Sequence, residues 1–294
     1  MTGRYAQSAV LYLAALSLLA CSGCARSIEG SAMISQLRQS SSPRIIRADQ
    51  PVRGVAILVA GLNNRPDVLD PLARSLAAVG VESVVVTLLG HADAAQGWPR
   101  ADFFSAWRAD IEAAREFAHK HYQGQPIYGV GYSLGATLLL DAISNSRLPS
   151  FSKLAVIAPA VTLTNKTQLL RPLLPLGILG LTLPSFAPPQ FQAQPRTGIR
   201  AYRGMFAAAQ SVRTPNALLQ ATPLLVLATP FDELVDYSDL REWSAQSKRW
   251  HFVSIELSSP PKLGYYHLLF DRENIGESAW QKLTEEIVSL VSAE

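Results

Sequence analysis

The stretch from Pro126 to Ile143 constrains this 294-residue chain more than any other. A short apolar run, Pro126-Ile127-Tyr128-Gly129-Val130, leads without a break into Gly131-Tyr132-Ser133-Leu134-Gly135. The residues after it, 134–143, carry apolar side chains at helical spacing. A strand that becomes a helix across one residue needs a very tight turn, in which flanking side chains would collide with both elements. Glycine on either side removes that collision and leaves the central serine exposed at the helix N-terminus. The pattern recurs along the chain. Apolar runs at 55–59, 83–88, 154–157, 224–227 and 252–257 read as strands. The intervals 67–79 (Leu69, Leu72, Leu76 and Val79 on one face), 104–121 and 280–291 read as helices. Such alternation predicts an α/β fold with a mostly parallel sheet covered on both faces. One interval breaks the rhythm: 162–215 carries many prolines, a Leu-rich patch at 173–183 and no clear strand. It is too long for an ordinary connection and reads as an inserted lid.

A serine hydroxyl becomes a nucleophile only when a base takes its proton. In a strand–turn–helix context of this kind the partners follow in the order serine, acid, histidine. Of the five histidines, His267 in Gly264-Tyr265-Tyr266-His267-Leu268 comes after the last strand and before the closing helix, where the base belongs. His119 and His121 fall at the end of a polar helix face, and His251 opens a strand. His91, in a loop before the elbow strand, is placed to line a pocket. The acid is expected at the end of the strand 224–227, in Ala228-Thr229-Pro230-Phe231-Asp232-Glu233-Leu234-Val235. Asp232 is favoured there, with Glu233 and Asp236 as nearby alternatives. The preceding strand ends in Ala158-Pro159-Ala160 and offers no carboxylate. Two backbone N–H groups are needed for a developing oxyanion. Leu134, just after the serine, and Leu62, in Ala60-Gly61-Leu62-Asn63-Asn64, are the candidates.

These residues resemble the monoacylglycerol lipase and lysophospholipase branch of the α/β-hydrolase superfamily, the serine aminopeptidase-like hydrolases. The resemblance spans roughly residues 52–291. It rests on the elbow around Ser133, on Asp232 followed by Leu234-Val235, on His267, on Leu89-Gly90-His91, and on Phe104, Trp107 and Asp110. It implies an α/β-hydrolase fold with a lid and a Ser-His-Asp triad that cleaves carboxylic esters through an acyl-serine. The apolar lid adds lipophilic or acyl esters as the expected substrates, while amides and thioesters suit the same triad. The chain departs from the family twice. Ala60-Gly61 stands where His-Gly is usual, and Gly90-His91-Ala92-Asp93-Ala94 replaces Gly-His-Gly with a serine two residues on. A second reading keeps the fold and drops the chemistry: a hydrolase-like lipoprotein that binds a partner or ligand.

The N-terminus carries a different signal. Arg4, an apolar run at 9–20 and small residues beyond it have signal-peptide anatomy, because the run is too short to span a bilayer. Leu18-Leu19-Ala20-Cys21 resembles a bacterial lipobox, with Cys21 as the lipidated residue; cleavage near Ala25 and an uncleaved anchor are the alternatives. Residues 1–20 are therefore read as a lipoprotein-type signal, 21–50 as a polar tether and 51–294 as the hydrolase domain. The protein is expected outside the cytoplasm, periplasmic or tethered to a membrane by its lipid. Cys21 and Cys24 are the only cysteines, so no disulfide framework holds the domain. With 48% hydrophobic and 17% charged residues the chain has the composition of a well-cored globule. A net charge of +3 with no basic run interleaved with aromatics gives a nucleic-acid role no support. Histidines and cysteines lack ligand spacing, so neither a metal nor an organic cofactor is implied.

Overall fold

Apolar runs buried on both faces become strands, and the computed structural model builds one seven-stranded sheet from them. It describes residues 43–92, 97–145 and 151–293. The signal segment, Cys21, nearly all of the tether, and Asp93 and Ala94 lie outside the described residues. The strands are β1 (Arg44–Ile46), β2 (Gly54–Val59), β3 (Val81–Val86), β4 (Ile127–Tyr132), β5 (Lys153–Ile157), β8 (Leu224–Ala228) and β9 (Trp250–Ser254). Their order is β1-β3-β2-β4-β5-β8-β9. Only β1 runs antiparallel to its neighbour.

All six residues of β2, β3 and β4 are buried. Alternate side chains serve opposite faces of a sheet, and β2 shows the division. Val55, Ile57 and Val59 pack with α2 (Phe103–His121), α3 (Leu134–Asn145) and α4 (Ile199–Val212). Ala56 and Leu58 pack with α1 (Asp70–Ala77) and α6 (Glu277–Ser292). The helix α5 (Tyr237–Ser244) belongs to the first face through Leu240 and Trp243.

Two expectations require correction. The folded part begins before residue 51, because β1 pairs with β3 (Ile45 opposite Val84) and Arg44 forms an ion pair with Asp70. Three residues on a sheet edge leave too short an apolar pattern to be read from sequence. Likewise, 162–215 is not all lid. It contains a two-stranded hairpin, β6 (Thr182–Pro184) with β7 (Arg196–Gly198), where no strand was expected. It also contains α4, which buries Ala201, Tyr202, Met205, Ala208 and Val212 against the helical layer. A Cβ on Gly204 would meet Trp107 Cζ3 at 2.9 Å and Phe103 Cβ at 3.0 Å, so α4 and α2 touch backbone to ring at that point. The segment overhanging the carboxyl ends of the strands is 162–198.

Candidate active site

Ser133 sits between β4 and α3 with φ = 52°, the left-handed region that a serine adopts at a cost of roughly 1–3 kcal/mol. Neighbouring contacts hold it there. Its N–H donates to the Ile157 carbonyl at 2.8 Å, and its own carbonyl accepts from Thr137 N–H at 3.1 Å. The flanking glycines have steric reasons: a Cβ on Gly131 would stand 2.5 Å from Ala136 Cα, and one on Gly135 would strike the backbone of β2.

The three residues expected to act together are brought together. The Ser133 hydroxyl lies 2.9 Å from His267 Nε2, and His267 Nδ1 lies 2.7 Å from Asp232 Oδ2. Asp232 Oδ1 accepts the N–H groups of Leu234 and Val235, each at 2.9 Å. Thus the carboxylate is held by its own loop and presents one oxygen to the imidazole. That oxygen accepts Nδ1–H, which leaves the Nε2 lone pair for the serine proton. Burial by itself pushes the His267 pKa down, yet the Asp232 charge and hydrogen bond, with Glu233 beside them, outweigh it and leave the pKa raised. The imidazole must be neutral to act as a base, so kcat/KM is expected to fall as pH drops through a value above the usual 6.5.

The competing acids have other tasks. Glu233 Oε2 accepts the backbone N–H groups of Tyr266 and His267, both at 3.1 Å, and so fixes the histidine loop. Burial raises its pKa. Asp236 caps α5 by accepting from Asp239 N–H at 3.0 Å. His251 is exposed, and His119 and His121 lie at the end of α2, away from the site.

Leu134 opens α3, so its N–H has no acceptor within the helix and is free to meet an oxyanion. Leu62 lines the same cavity as Ser133 and His267. What holds Leu62 in place was not read from the sequence. The next residue, Asn63, has φ = 58° and is buried. Its carbonyl accepts Ala193 N–H at 2.9 Å and its Oδ1 accepts Gln194 N–H at 2.9 Å. Its Nδ2 donates to the Gln194 carbonyl at 2.8 Å and to Ser185 Oγ at 2.9 Å. On the other side, Asn63 N–H donates to His91 Nε2 at 2.8 Å. His91 is therefore not a wall of the cavity. It stands behind the oxyanion loop, with Trp98 and Trp107 edge-on to its ring. Burial lowers its pKa to about 4, which keeps Nε2 an acceptor at neutral pH. The legible signal was the Asn63-Asn64 pair, since asparagine tolerates the left-handed region best among residues with a side chain.

An Asn63→Ala variant is expected to keep its fold and KM and to lose about 10²-fold in kcat, the typical loss for a displaced oxyanion donor. Steady-state kinetics with a soluble ester, alongside circular dichroism, measures this. A change confined to KM would remove Asn63 from that role.

The arrangement of strands, elbow and Ser–His–Asp contacts defines a serine hydrolase of the α/β-hydrolase class. The family model described as serine aminopeptidase, S33 matches residues 50–196, and the chain belongs to that family. Among solved structures it is similar to a soluble variant of monoglyceride lipase from Saccharomyces cerevisiae in complex with a substrate analog. The TM-score is 0.70 at 13% identity, covering 86% of this chain and 96% of that one. The Paleococcus ferrophilus monoacylglycerol lipase gives a TM-score of 0.65 at 16% identity over 86% and 99% of the two chains. A thermostable carboxyl esterase from Bacillus coagulans in complex with glycerol gives 0.61 at 14% identity over 84% and 93%. At these identities the likeness is one of fold. No curated protein matches the sequence.

Proposed function

We propose that the protein hydrolyses carboxylic esters with a lipophilic acyl group, outside the cytoplasm, through an acyl-Ser133 intermediate. The reading is carried by one observation, the continuous chain Ser133 Oγ, His267 Nε2, His267 Nδ1, Asp232 Oδ2 with links of 2.9 and 2.7 Å. In this mechanism Ser133 Oγ attacks the ester carbonyl carbon as its proton passes to His267 Nε2. The carbonyl oxygen becomes an oxyanion facing the N–H groups of Leu62 and Leu134. Collapse breaks the bond to the alcohol oxygen, which leaves with the proton from His267. Water then attacks the acyl-serine, giving its proton to His267, and the acid departs as Ser133 regains a hydrogen.

The lipophilic preference is supported by the lining of the cavity beside Ser133, whose walls include Leu163, Leu170, Phe186, Tyr202, Met205 and Leu234. The names of the fold relatives, two of them monoacylglycerol lipases, agree with it. Export and a lipid at Cys21 rest on the sequence of residues 1–25.

A fluorophosphonate probe is expected to label the protein but not a Ser133→Ala variant, and turnover of p-nitrophenyl esters is expected to rise from short to medium acyl chains. Equal labelling of both proteins, or of neither, would remove Ser133 as nucleophile and favour the binding reading. A flat chain-length profile would remove the lipophilic preference alone.

A further inference from the structure

The charge of this chain is strongly segregated. Between Asp141 and Asp232 there are eight lysines and arginines and not one aspartate or glutamate. The whole chain holds 26 basic and 23 acidic residues, so this interval carries +8 and the remainder −5. Three of these cations, Lys166, Arg171 and Arg196, fall in the overhanging segment 162–198, which holds no acidic residue.

The same segment bears an apolar crest. Leu169, Leu176, Ile178, Leu179, Leu181 and Phe186 are all exposed, Leu169 by 75%, Ile178 by 67% and Leu179 by 61%. Single exposed leucines are ordinary, but six large apolar side chains within eighteen residues are not. The backbone turns them outward. Residues Arg171–Leu179 form a 3-10 helix whose end, Gly180, has φ = 73°. Arg200 Nε donates to the Gly177 carbonyl at 2.8 Å and Nη2 to that of Ile178 at 3.4 Å. These bonds tie the backbone at Gly177 and Ile178 to α4, while the Ile178 and Leu179 side chains stay open to solvent. The crest reaches the cavity, since Phe186 is both exposed and part of its wall. Lys166 and Arg171 lie exposed in the same segment, and Arg203 lies exposed on the neighbouring α4.

We propose that the crest 169–186 and these cations dock the cavity mouth on an anionic lipid surface. Aliphatic side chains rimmed by cations match a surface that is negatively charged outside and apolar beneath. A nucleic acid would leave the leucines in water, and nothing in the segment offers the acidic partners that a basic protein groove would need. The docking does not depend on the hydrolytic reading, and it differs from the lipid anchor expected at Cys21.

The test uses the full chain, produced without lipid on Cys21, in flotation with phosphatidylcholine vesicles with and without phosphatidylglycerol. Binding is expected to require phosphatidylglycerol and to weaken at high salt. Leu176→Ser/Ile178→Ser/Leu179→Ser and, separately, Lys166→Glu/Arg171→Glu are expected to lower the partition coefficient about tenfold or more. Both variants should turn over a soluble short-chain ester as the parent does, which shows that the fold is intact. All of them share residues 1–42, so a difference reports on the crest. If both variants float like the parent, or if size exclusion shows that the triple substitution instead dissolves a dimer, the proposal is wrong. A parent that hydrolyses nothing yet floats as described would retire the hydrolytic reading and leave the docking in place.

Discussion

Asp232→Asn is expected to lower kcat by about 10⁴-fold, the loss typical when the acid of such a triad becomes an amide. The geometry explains why so small a change is so damaging. Asparagine keeps an acceptor at Oδ1 for the N–H groups of Leu234 and Val235, so the loop holds its shape. Those bonds oblige the amide nitrogen to occupy the place of Oδ2, 2.7 Å from His267 Nδ1. It presents N–H where a lone pair was needed. The imidazole answers with its other tautomer, protonated at Nε2, and no longer accepts the serine proton. A second consequence separates this from a general loss of structure. Without the Asp232 charge, burial dominates and the His267 pKa falls, so the acid limb of the residual kcat/KM profile moves to lower pH. Stopped assays across pH with parent and variant measure both effects. A variant with a parental pH profile would place the controlling charge elsewhere, Glu233 being the first candidate.

Gly135→Ala is expected to be the most disruptive single methyl addition at the site. The new Cβ would lie 2.5 Å from the Ala60 carbonyl oxygen and closer still to that of Val59. Both obstacles are backbone of β2 and the oxyanion loop, so no rotamer relieves them, and α3 must move off the sheet. Overpacking of this kind destabilises by about 3 kcal/mol or more. For a domain of this size that lowers Tm by about 10 °C. The movement also carries Leu134 N–H away from Leu62, so turnover falls beyond what the loss of folded protein explains. Gly129→Ala is the instructive contrast: its Cβ meets the end of the Leu154 side chain, not backbone, so a rotamer change there can absorb part of the clash, although that residue is no less buried in β4. Calorimetry and active-site titration decide the matter, and equal Tm values for Gly135→Ala and the parent would show that α3 does not press on β2 as described.

Much of this arrangement was legible beforehand because it depends on local pattern. Strands buried on both faces announce themselves as unbroken apolar runs, which is why 55–59 and 224–227 were placed to within a residue or so. The elbow was legible because two glycines around a serine have few other reasons to sit between such a run and a helix. What went unread had signals of the wrong length or kind. β1 is three residues on an edge. The helix α4 hides in a proline-rich neighbourhood, its small residues Ala201, Gly204 and Ala208 making a contact face that hydrophobicity alone does not mark.

Ser133 illustrates the division best. Motif, chain order and spacing were enough to name it, with Asp232 and His267, because turn sterics and triad order are properties of local sequence and topology. Which carboxylate serves the imidazole, and which merely fixes its loop, was decided by the fold: Asp232 and Glu233 are adjacent in sequence but reach opposite sides of His267, one its ring and the other its backbone. The same holds for Asn63. Its five hydrogen bonds join residues 63, 91, 185, 193 and 194, and contacts between such distant parts of a chain exist only once the sheet has brought its ends together.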